Sequence, residues 1–429
     1  MSDRDPQSAP ALGYLSAAPT VSTRPEASSA GPRAHILGVM NGFLDQGWKV
    51  HPFIVGDRVS GHISGGGVQR WLEGSPLVRY AGDAARLAMA ARSRRAAWKE
   101  LAGKVDWVYE RFATMQVLGH PFRRAGIPWI LETQGLFYYE TRTERSSVGF
   151  PKLAEWIEKR AYHACDRLIC VSPALRDLIV GECGVDPAKI MIVPNAVELE
   201  RFDPLLNRAE NGCERYFDEL TLGFIGGLIG WQALDVLMEA MAELEAERGL
   251  RTGFVVIGDG AMRAAWEGRA RELGIAERVR FLGQVPGDRI ARHMAGFDIG
   301  YAGAKVMDIG KMYHSPIKLY EYMAMAKPVL AAAFDDARSL VEGRGTGFLF
   351  EPGSKEDLKR ALVLAHEQRE ALGKMGAEAR GLIEREHSWQ VRSAAMIDVL
   401  QHDFGRGEAA SPVSAPRPAI GPRTGMASS

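Results

Sequence analysis

Short apolar runs alternate with amphipathic stretches along the first half of the chain. Each run ends near a glycine, a proline or a polar residue, which is typical of a buried strand. The stretches between them repeat apolar residues three or four positions apart, as amphipathic helices do. Strand and helix in regular succession predict a parallel sheet covered by helices. The predicted strands are residues 12–18, 49–55, 107–111, 128–133, 167–172 and 190–194.

The same alternation begins again at Thr221. The predicted strands of this second series are residues 222–226, 253–258, 279–283, 299–302, 328–333 and 347–350. The predicted helices include residues 234–244, 261–273, 357–369, 371–386 and 389–404. We therefore expect an α/β protein with two Rossmann-like, doubly wound parallel-sheet domains that face each other across a cleft.

Changes in composition set the expected domain bounds. The first domain is predicted over 11–200, a charge-rich connector over 201–219, and the second domain over 220–387. A last helix over 388–404 is expected to return to the first domain. The N-terminus, 1–10, and the Pro/Ala/Ser/Gly-rich tail, 405–429, are predicted to be disordered because they cannot bury a core.

Composition agrees with two soluble domains. The 429 residues exceed what one compact core usually holds, and 46% are hydrophobic while 25% are charged. The 53 basic residues equal the 53 acidic ones, so no overall charge favours nucleic acid as a partner. The four cysteines lack metal-binding spacing, and no apolar run is long enough to cross a bilayer. Since the N-terminus also lacks a secretory signal, we expect a cytoplasmic protein without a metal site.

Two segments allow two interpretations each. A predicted helix over residues 82–104 carries the basic side chains Arg86, Arg92, Arg94, Arg95, Lys99 and Lys104 between apolar ones. It fits either peripheral contact with an anionic membrane or an ordinary solvated surface helix. The loop of residues 61–67 (GHISGGG) fits either close approach to a ligand or a simple linker.

The stretch of residues 315–324 (SPIKLYEYMA) carries the most specific chemistry. Ser315 before a proline predicts a helix start, with the hydroxyl as a cap. Free amides and the dipole at such a start can bind an anion, and Lys318 adds a cation. Glu321 lies about one turn deeper on the same face, where a carboxylate can accept two vicinal hydroxyls. These features fit a nucleoside diphosphate, although an amphipathic helix with a surface Lys–Glu pair has the same pattern.

Glycines follow the first two strands of the second domain. They are Gly226 and Gly227 after the first strand, and Gly258 and Gly260 after the second. A missing Cβ lets backbone amides approach a phosphate, but tight turns between strand and helix require glycine as well. GxGxxG and GxxxxGK[ST] motifs are both absent, which argues against a dehydrogenase or a P-loop kinase.

From residue 12 to residue 404 the chain resembles the family 4 glycosyltransferases of the GT-B fold. In the first half the resemblance rests on GPRAH at 31–35, GWKV at 47–50, YER at 109–111, DRLICVS at 166–172 and KIMIVPNAV at 189–197. In the second half it rests on IGDG at 257–260, VRFLGQVP at 279–286 and residues 315–324. The order and spacing of these motifs are more specific than any one of them.

The resemblance implies retaining transfer of a sugar from a UDP- or GDP-linked donor to an acceptor hydroxyl, without a metal or other cofactor. Glu321 matches the glutamate that binds the ribose. The segment from Ser315 through Ile317 to Lys318 matches the one whose amides contact the diphosphate. Val285 matches a position along the base, and Gly31 matches a first-domain loop that closes over the donor.

The chain also departs from the family pattern. Tyr313 stands where the first motif glutamate is expected, and Gly227 and Gln232 replace two basic residues. Gln134 replaces a frequent histidine. A subset of the family with an SPxKLFEYMA-like motif shares this pattern, and there Lys318 takes over the diphosphate charge.

Lys318 and Glu321 are therefore the first candidates for catalysis. A second group consists of Arg111, Arg33, His35 and Gln134. For His35 the alternative is a histidine packed among polar groups or facing solvent. For Arg111 the alternative is a structural salt bridge between domains.

Three functional hypotheses follow. The first is a glycosyltransferase that acts on a glycan or lipid-linked acceptor in cell-surface polysaccharide or glycolipid biosynthesis. The second is a sugar-nucleotide 2-epimerase of the same fold, which would act without an acceptor. The third is a non-catalytic nucleotide-sugar-binding scaffold, which the missing glutamate, basic residues and histidine favour.

Overall fold

The computed structural model describes residues 9–24, 30–59, 76–143, 148–207, 215–306 and 312–404. The chain divides into two compact units. Unit 1 contains residues up to Pro194 and from Trp389 onward, and unit 2 contains the residues from Asn195 to Ser388. The loop at 61–67, most of the N-terminus at 1–10 and the tail at 405–429 lie outside the described residues.

Each unit contains one six-stranded parallel sheet, as the strand–helix alternation predicts. The first sheet consists of β1 (Ala11–Ser16), β2 (Lys49–Ile54), β3 (Trp107–Arg111), β4 (Trp129–Thr133), β5 (Arg167–Cys170) and β6 (Ile190–Ile192). The second consists of β7 (Leu220–Ile225), β8 (Thr252–Ile257), β9 (Val279–Gly283), β10 (Ile299–Ala302), β11 (Val329–Ala332) and β12 (Gly347–Phe350). The expected α/β fold with two parallel sheets is confirmed.

Helices connect the strands. In unit 1 they are α1 (Ala30–Asp45), α2 (Pro76–Leu101), α3 (His120–Arg124), α4 (Phe137–Thr143), α5 (Pro151–Ala164) and α6 (Pro173–Cys183). In unit 2 they are α7 (Leu234–Arg248), α8 (Arg263–Glu272), α9 (Ile290–Ala295), α10 (Ile317–Ala324), α11 (Asp335–Val341), α12 (Lys355–Glu367) and α13 (Leu372–Glu386). The last helix, α14 (Trp389–Phe404), belongs to unit 1.

The basic helix predicted over residues 82–104 has different bounds. α2 begins at Pro76, where a proline suits the start of a helix, and ends at Leu101. Gly103 follows with a φ of 73°, a left-handed conformation that favours glycine and stops the helix. Lys104 therefore lies outside α2, whereas the other five basic residues of the prediction lie on it.

Both sheets reverse their order at one internal strand pair. The order is β2-β1-β3-β4-β5-β6 in unit 1 and β12-β11-β10-β7-β8-β9 in unit 2. The connections leave in opposite directions at β1/β3 and at β7/β10, which opens a crevice at the carboxyl ends of those strands. In unit 1 the register places Arg111 of β3 directly beside Glu132 of β4 at this edge.

The last helix completes unit 1. The Trp389 ring meets the His35 ring edge-on at 5.0 Å between centroids, and Phe404 meets Trp107 in the same way at 5.5 Å. Arg167 on β5 forms an ion pair of 2.9 Å with Asp403. Contacts at both ends of α14 therefore fix it against the first sheet and its helices.

The stretch predicted as a connector, 201–219, contributes to unit 2 where it is described. Phe202 and Tyr216 are buried in the core of that unit together with residues of α9 and α10. Arg380 of α13 donates to the Phe202 carbonyl at 2.7 Å. Burial of these aromatic rings is favourable despite the charged composition from which an interdomain connector was predicted. Among the described residues, no helix has the length and apolar character needed to cross a bilayer.

Gly38 provides a test of how α14 packs. A Cβ at this position of α1 would lie 2.0 Å from the Trp389 Nε1 atom, whereas at Gly31 of the same helix it would meet nothing within 4 Å. We expect Gly38→Ala to lower the free energy of unfolding by about 1–3 kcal/mol, the usual cost of overpacking. Gly31→Ala should leave stability unchanged or slightly raised, because alanine favours helix. Thermal unfolding of both variants measures the difference, and equal melting temperatures would contradict this packing.

Candidate functional site

The chain just before α10 is held by a buried clamp. The Ser315 hydroxyl donates to Asp336 Oδ2 and accepts from the Asn195 N–H at 3.0 Å. The Asn195 side-chain amide donates to the Ser315 carbonyl at 2.6 Å, and the Tyr320 hydroxyl donates to Asp336 at 2.8 Å. These bonds connect three segments that are far apart in sequence. They fix the position at which α10 begins.

The predicted role of Ser315 as a helix cap is wrong. α10 begins at Ile317, Pro316 occupies the N-cap position, and no side chain caps the helix. The Ser315 hydroxyl is already engaged by Asn195 and Asp336, so it is not directed at the first amides of the helix. Sequence inspection could not identify Asp336 as the competing acceptor, because it lies on the next helix along the chain.

Lys318, in the first turn of α10, extends its ammonium group toward the end of β7. Nζ donates to Gln232 Oε1 at 2.9 Å and lies 3.9 Å from the centroid of the Phe224 ring. It is also 3.1 Å from the place where a Cβ on Gly226 would stand. Burial lowers the pKa of Lys318 to about 7, although the Glu321 carboxylate partly opposes this shift.

Gln232 provides the polar partner of this lysine. It stands at one of the two positions where the family pattern has a basic residue, and it is buried. Its side chain accepts from Lys318 in place of carrying a charge of its own. The ammonium group of Lys318 therefore lies next to the position from which the expected cation is missing.

Three of the four predicted glycines are required by the backbone. Gly226 has a φ of 145° and Gly258 a φ of 132°, conformations that side chains rarely adopt. A Cβ on Gly258 would lie 2.0 Å from the Gly226 carbonyl oxygen, and one on Gly260 would lie 2.5 Å from that of Leu228. The loops after β7 and β8 thus pack directly on each other.

Gly227 differs from the other three. It is exposed, its φ is not positive, and a Cβ there would make only ordinary contact with the Ile229 side chain, at 3.5 Å. Neither conformation nor packing within the described residues requires glycine at this position.

Glu321 lies on the same face of α10 as Lys318 and is partly buried. Burial raises the pKa of Glu321, while the charges of Arg201 and Lys318 act in the opposite direction. Arg201 also donates to the Gly287 carbonyl at 2.7 Å, in the loop that contains Val285. Sequence reasoning missed Arg201, because 120 positions separate it from Glu321 and no motif marks it.

A small, partly open cavity lies beside Lys318 at the carboxyl ends of β10 and β11. Its wall includes Trp231, Gln232, Gly303, His314, Lys318 and Phe334. The His314 ring stacks with the Trp231 ring, at 5.8 Å, and with the Tyr313 ring, at 4.5 Å between centroids. Tyr313, at the position of the expected glutamate, is fully buried in this stack. The cavity lies at the switch point of the second sheet, where ligands of such folds bind.

In unit 1, His35 and Gln134 both contact Glu132 at the end of β4. His35 is buried, and its Nε2 lies 2.6 Å from Glu132 Oε1. The Gln134 amide donates to the same oxygen at 2.6 Å. Burial favours the neutral carboxyl, but His35, Arg111 and a hydrogen bond from Tyr109 outweigh it and lower the pKa of Glu132. His35 is therefore a packed residue with a defined acidic partner.

Arg111 and Arg33 occupy different surroundings. Arg111 lies next to Glu132 in the sheet, and among the described residues no acidic side chain is close enough to form an ion pair with it. Arg33 Nε donates to the Thr23 carbonyl at 3.0 Å and so holds the segment that precedes α1. Gly31 is exposed on the first turn of α1.

The predicted site residues are thus divided between the two units. Lys318, Glu321, Ile317, Ser315, Val285 and the four glycines lie in unit 2, and Gly31, Arg33, His35, Arg111 and Gln134 lie in unit 1. Among the described residues, no three histidine, cysteine or acidic side chains are grouped in a way that could hold a metal ion.

Two family models match the chain. Residues 30–201 match the family described as Glycosyltransferase Family 4, and residues 219–368 match Glycosyl transferases group 1. The matched residues cover most of both units.

Curated relatives share part of this likeness. A D-inositol 3-phosphate glycosyltransferase of Actinosynnema mirum is 33% identical over 260 residues, which is 58% of this chain and 60% of that protein. A UDP-Gal:alpha-D-GlcNAc-diphosphoundecaprenol alpha-1,3-galactosyltransferase of Escherichia coli is 26% identical, over 61% of this chain and 66% of that protein. The chain therefore matches less than two thirds of the length of these relatives.

Solved structures extend the likeness to nearly the whole chain. Sucrose-phosphate synthase of Thermosynechococcus elongatus superposes with a TM-score of 0.67 at 16% identity, over 93% of this chain and 100% of that one. WaaG, a glycosyltransferase involved in lipopolysaccharide biosynthesis, gives 0.61 at 16% identity, over 90% and 98%. HepE of Anabaena, solved with UDP and glucose, gives 0.64 at 16% identity, over 92% and 100%. At this identity the likeness shows the GT-B fold alone.

Alanine substitutions at Gly227 and Gly258 test whether each glycine leaves room for a ligand or is required by the backbone conformation. Gly227→Ala should leave the melting temperature unchanged but weaken binding of UDP by about 1–3 kcal/mol, because the new methyl group occupies ligand space. Gly258→Ala should lower the melting temperature without any ligand, because of its positive φ and the Gly226 carbonyl. Calorimetric titration and thermal unfolding check both. Normal UDP binding by Gly227→Ala would show that the ligand lies elsewhere.

Proposed function

We propose that the chain is a family 4 glycosyltransferase, which transfers a sugar from a nucleotide-sugar donor to an acceptor hydroxyl, because models of this family and of the glycosyl transferases group 1 match residues 30–201 and 219–368. The observation that carries the proposal is the Lys318 ammonium group, which lies beside Gly226 and, among the described residues, has only the neutral Gln232 amide as a hydrogen-bond partner. A nucleoside diphosphate would supply a negative charge at this position.

The donor is assigned to unit 2. The diphosphate binds at the start of α10, where the amides of Ile317 and Lys318 and the lysine side chain converge. Gly227 leaves room beside it. Glu321, one turn deeper, accepts the ribose hydroxyls, and Val285 lies along the base. The pocket beside Lys318 has the Trp231 and His314 rings in its wall, and such aromatic rings suit the apolar face of a hexose.

Charge development explains why Lys318 matters for rate. As the bond to the sugar breaks, the anomeric carbon becomes cationic and the departing diphosphate gains negative charge. A preplaced cation then stabilises the transition state more than the ground state. The reaction proposed here retains the anomeric configuration and uses no resident metal or other cofactor.

The acceptor is assigned to unit 1. Gln134, Glu132 and His35 form a buried polar group at the end of β4, and Arg111 lies beside it. We assign these residues to orienting the acceptor hydroxyl through hydrogen bonds. A glycan or lipid-linked acceptor in cell-surface polysaccharide or glycolipid assembly fits the activity named for the E. coli relative and the lipopolysaccharide pathway named for WaaG.

UDP-sugars are the first donors to test, since HepE was solved with UDP and with UDP-glucose. The protein is incubated with UDP- and GDP-linked sugars, with and without lipid-linked acceptors, and released nucleotide and product are measured. Acceptor-dependent release supports transfer. Isomerisation of the donor without acceptor would instead identify a 2-epimerase, and nucleotide-induced thermal stabilisation without sugar release would identify a binding scaffold.

Lys318 and Glu321 should affect different kinetic constants. Lys318→Ala is expected to lower kcat by roughly 100-fold or more, the usual effect of removing one group that stabilises developing charge, and to change donor affinity less. Glu321→Ala should mainly weaken donor binding, because it removes the ribose acceptor. Lys305→Ala, which removes a lysine paired with Asp235 in the same unit, is the control. Unchanged turnover in Lys318→Ala would mean that another cation serves the diphosphate.

The lysine pKa predicts a pH dependence. Lys318 is active when charged, so kcat/KM should fall as the pH rises through about 7, the pKa of this lysine without ligand. A bound diphosphate raises that pKa, so the fall in kcat should occur at higher pH. Rate profiles of wild type and of Lys318→Arg, which stays charged throughout, test this. Identical profiles for the two proteins would assign the pH dependence to another group.

A further inference from the structure

The outward face of α5 combines cations with a large aromatic ring. Lys152, Trp156 and Arg160 are spaced four residues apart, so they form one stripe along the helix. All three are exposed, and the Trp156 side chain is 56% accessible. The opposite face of the same helix is buried in unit 1 through Ala154, Glu158, Ala161 and Tyr162. An exposed tryptophan between two cations is not explained by the proposed transfer reaction.

Two further aromatic rings lie at the start of this helix. Phe150, directly before α5, is 44% exposed, and Tyr80 of α2 is 43% exposed. Their ring centroids are 4.8 Å apart. The buried Asp83 carboxylate accepts from the Gly149 and Phe150 amides at 2.8 and 2.7 Å, which fixes the loop that presents Phe150. These apolar rings are therefore held at the surface by a specific buried contact.

The described cations of this surface lack acidic partners among the described residues. Among the described residues, no acidic side chain forms an ion pair with Lys152, Arg160 or Arg124 of the neighbouring α3. The Arg160 guanidinium lies 5.2 Å from the centroid of the Trp156 ring. The pKa of His120 is lowered to about 4, mainly by burial and further by nearby positive charges. These charges are those of Arg94, Arg124, Arg160 and Arg123. Cations of α2, α3 and α5 therefore concentrate in one region.

The exposed side of α2 also combines basic and apolar residues. Arg92, Arg95 and Lys99 are exposed between alanines. The two acidic residues of this helix are engaged elsewhere: Asp83 is buried under Gly149, and Glu100 pairs with Arg58 at 2.7 Å. The described part of this face thus has cations and apolar groups but no free carboxylate.

We propose that the aromatic–cationic surface formed by Tyr80, Phe150, Lys152, Trp156 and Arg160 docks unit 1 on a bilayer that contains anionic phospholipid. Tryptophan and tyrosine rings favour the headgroup region, where an apolar body and a polar edge are both satisfied. Lysine and arginine bury their aliphatic stems there while their charges meet lipid phosphates. This inference does not depend on the transfer reaction.

The charge pattern favours a bilayer over an acidic protein as the occupant. The cations spread over three helices and alternate with exposed rings, and the described residues of this surface contain no free carboxylate to specify a partner's orientation. A bilayer is a broad anionic surface into which aromatic rings can insert, and binding to it does not require one fixed orientation of a partner. An acidic protein partner remains as an outcome of the test.

The test is sedimentation of the full chain with phosphatidylcholine vesicles, with and without phosphatidylglycerol. We expect binding only to the anionic vesicles, weakened by salt. Lys152→Glu and Arg160→Glu should each reduce binding by about five-fold or more, the effect of one basic residue near an anionic surface. Trp156→Ala, which leaves the charge unchanged, should also reduce binding because it removes the inserted ring. Lys374→Glu and Leu364→Ala, both at exposed positions in unit 2, are the matched controls.

Several outcomes would overturn the proposal. Equal sedimentation of wild type and Arg160→Glu would remove this surface from membrane binding. Equal loss in Lys374→Glu would show a general charge effect. Full competition by glycerol 3-phosphate or by a soluble acidic protein would replace the bilayer with a free phosphate or a protein partner. UDP-induced thermal stabilisation, measured without lipid, should be the same in every variant, which separates this result from the donor site.

Discussion

The candidate donor site depends on one constraint, a partly buried cation that has no acidic hydrogen-bond partner among the described residues. Lys318 holds its ammonium group against the Phe224 ring and the Gln232 amide, and burial lowers its pKa to about 7. Charging this group without an anion is unfavourable. The surrounding structure serves this position: the Ser315–Asn195–Asp336 clamp fixes where α10 begins, and Gly226 leaves the space that the ammonium group occupies.

Other buried charged groups in the same chain have perturbed pKa values but structural roles. Burial raises the pKa of Glu158 to about 8, yet its oxygens accept from the Phe137 and Tyr138 amides and so hold the start of α4. Burial likewise raises the pKa of Glu110 to about 7, and its oxygens accept from Leu118 and Gly119. A shifted pKa alone therefore does not mark a functional site here. What distinguishes Lys318 is its place at the switch point beside a cavity.

Prediction from the sequence succeeded where local pattern decides structure. Strand–helix alternation specifies both parallel sheets, because buried parallel strands need apolar runs and their crossovers need amphipathic helices. It failed where a distant residue decides. Ser315 is a residue type that often caps helices, but its hydroxyl donates to Asp336. Burial raises the pKa of Glu321 and the charge of Arg201 opposes this rise, although Arg201 lies in a segment whose composition predicts a connector. α2 begins six residues before its predicted start, and its end follows from Gly103.

The sequence by itself determined the two α/β units, the resemblance to the glycosyltransferases, and Lys318 and Glu321 as one face of one helix. These features depend on periodicity and on spacing within a single turn, which are local properties. Only the tertiary structure decided that Gln232 holds Lys318, that His35 pairs with Glu132, and that Gly258 is needed by the neighbouring loop whereas Gly227 is not. Each of these is a contact between distant segments, and its geometry exists only once the sheets have brought the strand ends together.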